Sequence, residues 1–212
     1  MRSSKTWLIA AAVVVVAAAA FIFSARPAEP AGVALPPAAP RAGAAPVLWP
    51  VPQFAFADQD DQSVSTQSLA GKVWIVDFIF TNCANTCPKM TAHRLKLQKQ
   101  ITDPRVMFLS ISVDPQRDDR ATRKSYAAAN QMDESRWRFV SPPDKQAALK
   151  TAQAMKIAAI THDHGDSPIL HSDRFVLIDP QSRIRGNYPM ADAQAMDRLV
   201  RDALALAQAD TR

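Results

Sequence analysis

The chain has 212 residues, 48% of them hydrophobic, with a formal net charge of +5 and two cysteines, which leaves room for one domain of ordinary size plus appendages. Arg2, Lys5 and Arg26 flank the first apolar run and supply three of those charges, so the remainder carries only about +2. After residue 50 no cluster of Lys and Arg interleaved with aromatics occurs, which argues against a nucleic-acid partner.

Residues 7–25 contain no charge, are dominated by Ala and Val and end in Phe21-Ile22-Phe23. The run is long enough to cross a bilayer, for which ~20 apolar residues suffice. Arg2 and Lys5 precede it, so the positive-inside rule places the N-terminus in the cytoplasm and everything after Arg26 outside, periplasmic in a bacterium. A cleaved signal peptide, with Ala18-x-Ala20 as its cleavage site, is the alternative; the run exceeds the ~7–15 residues of a signal core, and the expectation is a retained transmembrane helix. Residues 27–52 are rich in Pro and Ala, a composition suited to an extended, semi-rigid tether. The expected organisation is a cytoplasmic tip and anchor over 1–26, a linker over 27–52 and a folded domain over 53–208.

Within that domain, 54–57 alternates at period two, Asp58 to Asp61 has turn chemistry and 63–66 resumes an extended stretch, which predicts a hairpin. Residues 72–80 form a nearly continuous β-branched and aromatic run, the mark of a strand covered on both faces. A helix is expected over 88–101, with Pro88 in its first turn. Beyond it the pattern predicts a strand at 105–113, a helix at 118–130, a strand at 137–140 and a helix at 144–155. The charges of 116–124 alternate in sign and read as a solvated helix face. Strands at 174–179 and 184–188 around the turn at 180–183 make a second hairpin, and 191–208 closes as a helix. Strands alternating with helices, then a hairpin and a last helix, indicate an α/β sandwich with a mixed central sheet.

The two cysteines stand in Thr81-Asn-Cys83-Ala-Asn-Thr-Cys87-Pro88, between the central strand and its helix. A helix N-terminus favours thiolate, the form that attacks disulfides and binds metals, and positions four apart share one helix face. In an exported protein a stabilising disulfide is the plain alternative, although a bridge closing so short a loop stabilises little. Asp77 is a candidate buried carboxylate on the central strand. Asp114, in Ser-Val-Asp-Pro, either faces the cysteine helix or serves the turn. His93 reads as a surface residue, the methionines as packing, and 161–166, with His162 and His164, as a polar solvated loop or a weak metal entry point.

Three groups of residues carry a family resemblance: Phe-Ile-Phe-Thr-Asn-Cys83-Ala-Asn-Thr-Cys87-Pro88; Ser112-Val-Asp114-Pro115 with Asp118 and Tyr126; and His171-Ser172 followed by Asp179-Pro180. Over roughly 50–205 the chain is similar to the Sco/SenC family of copper-delivery proteins, which have a thioredoxin-like fold and a typical N-terminal anchor. The resemblance implies that Cys83, Cys87 and His171 are copper ligands. It also implies that the recipient is the dinuclear copper centre of the copper-receiving subunit of cytochrome c oxidase, with other periplasmic copper chaperones or thiol reductases as further partners. Two thiolates and an imidazole suit Cu(I), with Cu(II) as the other state to consider, whereas zinc prefers a fourth ligand. The chain departs from the family pattern at Ser167, Leu170 and Ser182, none of them a ligand. The expected function is therefore a metallochaperone. The alternative is a thiol-disulfide oxidoreductase in which Cys83 and Cys87 reduce the cysteines of the receiving subunit. A peroxiredoxin-like peroxidase lacks its Pro-x-x-x-Thr/Ser-x-x-Cys sequence here.

Overall fold

The computed structural model describes residues 45–157, 160–163 and 168–209, with the backbone alone for 160–163 and 168–171. The apolar run 7–25, most of the linker and residues 164–167 lie outside the described residues. Among the described residues no helix is long and apolar enough to cross a membrane.

A six-stranded mixed sheet organises the domain. Its strands in chain order are β1 (Trp49–Pro50), β4 (Val73–Ile79), β5 (Val106–Ser112), β6 (Trp137–Val140), β9 (Arg174–Ile178) and β10 (Arg183–Pro189), arranged β1-β10-β9-β4-β5-β6. β4, β5 and β6 run parallel, whereas β9, β10 and β1 are antiparallel to their neighbours. Every residue of β4 and β5 is buried, as their continuous apolar sequences require of central strands covered on both faces. The expected sandwich with a mixed sheet is therefore present.

Two further hairpins sit outside this sheet. The first, β2 (Ala55–Ala57) with β3 (Ser63–Ser65), is the one expected from the alternation at 54–57. Its turn is held by Asp58 Oδ1, which accepts from the backbone N–H groups of Asp60 and Gln62 at 2.8 and 2.9 Å. The second, β7 (Ile160–Asp163) with β8 (Pro168–His171), pairs Ile160 with His171. It corrects the loop reading of 161–166 at 161–163, the part within the described residues: the polar sequence there hid an extended backbone because its ladder bonds are made by main chain, whatever the side chains. β1 is also unexpected, since Trp49 and Pro50 fall at the end of the stretch read as tether.

The helices are α1 (Thr86–Gln100), α2 (Arg120–Ala129), α3 (Lys145–Ala154) and α4 (Ala193–Ala209). α2 and α3 begin at side-chain caps: Asp119 accepts from Thr122 N–H and Asp144 from Ala147 N–H, each satisfying a backbone donor that the helix leaves free. α4 packs along β10, β4 and β5, and the buried Tyr188 hydroxyl of β10 donates to Asp202 of α4 at 2.7 Å. A bulge between Ile184 and Gly186 precedes that tyrosine. A Cβ at Gly186 would lie 2.5 Å from the Tyr188 ring, so the glycine is needed for this close approach.

Arg123 departs from the solvated face expected of 116–124. It is buried and donates to the carbonyl oxygens of Asp118 and Asp58 at 2.6 and 2.8 Å, tying the first hairpin to α2. Its neighbours Arg120 and Lys124 do stay exposed, in ion pairs with Asp61, Asp60 and Glu134.

Candidate metal centre

The C-terminal end of β4 leads through residues 80–85 into α1, and both cysteines lie on this passage. The helix starts two residues earlier than the Pro88 signal suggests, so Cys87 is its second residue and Pro88 its third. Proline remains tolerated there because the first-turn N–H groups have no intrahelical partner. Asn85 occupies the N-cap without making a side-chain cap bond. Its place is taken by sulfur: the Cys87 N–H donates to Cys83 Sγ at 3.3 Å. Cys83 thus does what a capping oxygen ordinarily does at the second helical N–H.

Both cysteines are free thiols and both are buried, at 9% and 5% exposure. Their acidities nonetheless separate. Burial pushes the Cys83 thiol up, but the backbone N–H groups of Cys87, Asn85 and Thr86 and the Cys87 thiol hydrogen-bond its sulfur and bring it below the ordinary thiol value. Burial dominates at Cys87 and pushes that thiol up; its bond to Cys83 and the negative charges of Cys83 and Asp77 add to the rise, while a backbone bond from Phe80 opposes it. The same turn thus makes one thiol more acidic and the other less acidic than an ordinary cysteine.

Beneath Cys87 the interior face of α1 is formed by Met90, Thr91, Arg94 and Leu97, all buried. Arg94 is completely enclosed and forms an ion pair with Asp77 of β4; its Nε donates to Asp77 Oδ2 at 3.0 Å. The guanidinium lies 4.8 Å from the Trp137 ring centre and 5.6 Å from those of Phe108 and Phe175, so aromatic faces complete the cation's surroundings. The Asp77 carboxylate singled out in the sequence therefore has a partner that the sequence reading missed. The signal was present: Arg94 falls at the helical spacing of Met90, Leu97 and Ile101, on the core face of the helix that follows a strand carrying a lone carboxylate. Thr91 also pairs with the Tyr126 hydroxyl of α2 at 2.7 Å, and burial pushes that phenol up to about 12.

On the other flank, Asp114 lies two residues past the end of β5. Its carbonyl accepts from the N–H groups of Arg117 and Asp118 at 3.0 Å each, which is the turn role expected of Asp-Pro. Its carboxylate is buried and faces Arg117 at 3.3 Å and Lys145 at 3.6 Å rather than the thiols. Asp118, next along this turn, accepts from Thr81 N–H, Thr81 Oγ1 and Ser112 Oγ. His93 is half-buried rather than a plain surface residue, and burial with the Lys96 charge brings its imidazole below the ordinary value.

His171 is the last residue of β8, three positions before β9. Its side chain lies outside the described residues, as do those of His162 and His164. The next residue, Ser172, is buried, and its Oγ accepts from Arg174 N–H at 3.3 Å. Two thiols converging at a helix N-terminus provide soft donors of the kind that select Cu(I).

The SCO1/SenC family profile matches residues 49–205. The SCO1 protein homolog of Bacillus subtilis is 32% identical over 159 residues, covering 74% of this chain and 82% of the relative. Among solved structures, BsSco, a member of the Sco family of cytochrome c oxidase assembly proteins in which a disulfide switch was identified, is 31% identical. The match covers 76% of this chain and 95% of BsSco with a TM-score of 0.67. ScoI of Bradyrhizobium japonicum with copper bound aligns at TM-score 0.59 and 23% identity over 71% of this chain and 98% of its own, a likeness of fold. Since the matched span runs from β1 into α4 and includes both cysteines and His171, the chain belongs to the SCO1/SenC family.

Proposed function

We propose that this protein is a copper metallochaperone whose cargo is held by Cys83, Cys87 and His171 and delivered to the dinuclear copper site of cytochrome c oxidase. The observation that carries the reading is the pairing of two free thiols at the start of α1, one of them made acidic by the other's backbone N–H. Copper-bound and oxidase-assembly relatives within the same fold support it. Cys83, the more acidic thiol, gives up its proton more readily than Cys87, which releases its own to solvent when the ion arrives. The imidazole of His171 completes a three-donor set suited to a monovalent, thiophilic ion. Handover proceeds by exchange of these ligands for those of the recipient. The run 7–25 anchors the domain to the membrane and residues after Arg26 face the periplasm, with the Pro/Ala-rich segment as tether.

An anaerobic Cu(I) competition titration of the reduced domain tests the proposal. One tightly held copper per chain, lost in the Cys83→Ser/Cys87→Ser double variant and weakened in His171→Ala, is the expected result. Binding indifferent to all three residues sinks it.

The acidity difference between the sulfurs favours a second reading, thiol-disulfide exchange with the receiving subunit. The Cys83 thiolate attacks a disulfide sulfur of the recipient, one recipient thiolate leaves, and Cys87, after losing its proton, attacks the mixed disulfide. The products are a Cys83–Cys87 disulfide and a reduced recipient. A Cys87→Ser variant accumulates the mixed disulfide with an oxidised recipient subunit, detectable by non-reducing electrophoresis; no such adduct argues against exchange.

A further inference from the structure

The segment that presents Cys83 has little regular structure of its own, yet its sulfur must sit within reach of the Cys87 N–H. The last regular interaction of the β4 side is the parallel-ladder bond from Val113 N–H to the Ile79 carbonyl at 3.0 Å. Beyond it, besides the bond from the Phe80 backbone to the Cys87 thiol, a buried side chain from a distant turn holds the chain. Asp118 Oδ1 accepts from the Thr81 N–H at 3.1 Å and from the Thr81 hydroxyl at 2.6 Å, and Asp118 Oδ2 accepts from Ser112 Oγ at 2.6 Å. Ser112 belongs to β5, so the carboxylate joins the sheet to the passage two residues before Cys83. The anchor is itself fixed: Asp118 N–H donates to the Asp114 carbonyl at 3.0 Å, and the Asp118 carbonyl receives the Arg123 guanidinium at 2.6 Å. Asp118 has no accessible surface. A buried carboxylate is costly unless its lone pairs are met, and here three donors meet them, two from the one residue that begins the cysteine passage.

We infer that Asp118 is a positioning residue for Cys83, holding Thr81 so that the Cys83 sulfur occupies the capping place at the N-terminus of α1. Asp118 acts through Thr81 and touches neither sulfur. The inference deepens the thiol-centred function proposed above, and its test uses no copper, so loss of copper binding and loss of positioning are told apart. The sign of the effect also separates position from charge. A carboxylate acting only as a nearby negative charge disfavours thiolate, and its neutralisation would make Cys83 more reactive. A carboxylate acting as an anchor does the opposite when removed, because the sulfur loses its N–H donors.

The experiment is the rate of Cys83 alkylation by iodoacetamide at fixed neutral pH, assigned by peptide mass, together with the midpoint potential of the Cys83/Cys87 couple against glutathione. Asp118→Asn and Thr81→Ala are each expected to slow Cys83 alkylation roughly tenfold and to lower the potential by roughly 30 mV, the equivalent of a tenfold change in the equilibrium for a two-electron couple. The fall follows because reduced Cys83 is the form that the cap stabilises. Thr81→Ser keeps the hydroxyl donor and restores both values. Faster alkylation in Asp118→Asn, or an unchanged rate and potential in folded variants that merely melt earlier, overturns the inference. Should Asp118→Asn not fold, the Thr81→Ala and Thr81→Ser pair decides alone: equal rates for the two refute it, and a slow alanine with a restored serine upholds it.

Discussion

The two sulfurs of this centre are four residues apart but are supported in opposite ways. Cys83 stands on an irregular passage gripped by neutral hydroxyl and amide donors converging on Asp118. Cys87 stands in the first turn of a 15-residue helix whose buried face is locked to the sheet by the Asp77–Arg94 pair and its aromatic surround. The comparison teaches that the more acidic thiol is placed where backbone donors can reach it, and the less acidic one where burial outweighs them. Such a division gives one site two sulfurs of unequal acidity.

Breaking the helical side should have the largest effect. Arg94→Ala leaves Asp77 as an uncompensated buried charge and is expected to cost ~3–5 kcal/mol in urea unfolding. Joint replacement of Asp77 and Arg94 by leucine and methionine should recover most of that loss, since two well-packed apolar residues remove the desolvation of both charges. A full-sized loss that persists in the double variant would show that the pair does more than neutralise itself. Tyr126→Phe is next: it strands the buried Thr91 hydroxyl and should cost ~1–3 kcal/mol by the same assay.

Copper affinity sharpens the comparison through its pH dependence. Cys87 holds its proton across the neutral range because its folded pKa is raised, so each copper bound displaces at least one proton. The apparent Cu(I) affinity should rise at least about tenfold per pH unit, or ~1.4 kcal/mol, between pH 6 and 8. A flat profile means that both sulfurs were already thiolates. The smallest effect expected is kinetic: in the reduced protein at neutral pH, iodoacetamide should modify Cys83 several-fold faster than Cys87, as thiolate fraction dictates. Equal rates would erase the distinction between the sulfurs.

Much of the architecture was legible in residue pattern because its strongest signals are physical necessities. The apolar runs of β4 and β5 belong to strands covered on both faces, and the Asp58 turn and the Pro180 turn announced their hairpins. Helix ends were less legible. α1 begins before Pro88 because a sulfur, not the Asn85 side chain, meets its free N–H, and no propensity encodes a cap supplied from two residues upstream of the N-cap. The β7–β8 hairpin was hidden by polar residues whose pairing is made by the backbone. At the site, the cysteines and Asp77 were visible as residue types out of keeping with their surroundings. Arg94 showed only as a charge at core spacing and the Asp118 anchor not at all, because each acquires its meaning from a partner 17 or 37 residues away.

The margins of the main sheet have a consequence for the protein as a solute. β6 is an outermost strand, but Ala57 of the first hairpin bridges to Ser141 just past its end. The Gln59 side chain accepts from Phe139 N–H at 2.9 Å, so part of the hydrogen-bonding rim is already occupied. At the opposite margin β1 is only two residues long and contains Pro50, with Pro52 close behind; proline has no N–H to offer. A foreign strand therefore meets a partly filled rim on one side and a broken, donor-poor one on the other. Short, proline-bearing or covered edges are how β-proteins avoid recruiting one another into aggregates. Among the described residues, the sheet therefore offers a poor template for indiscriminate self-association.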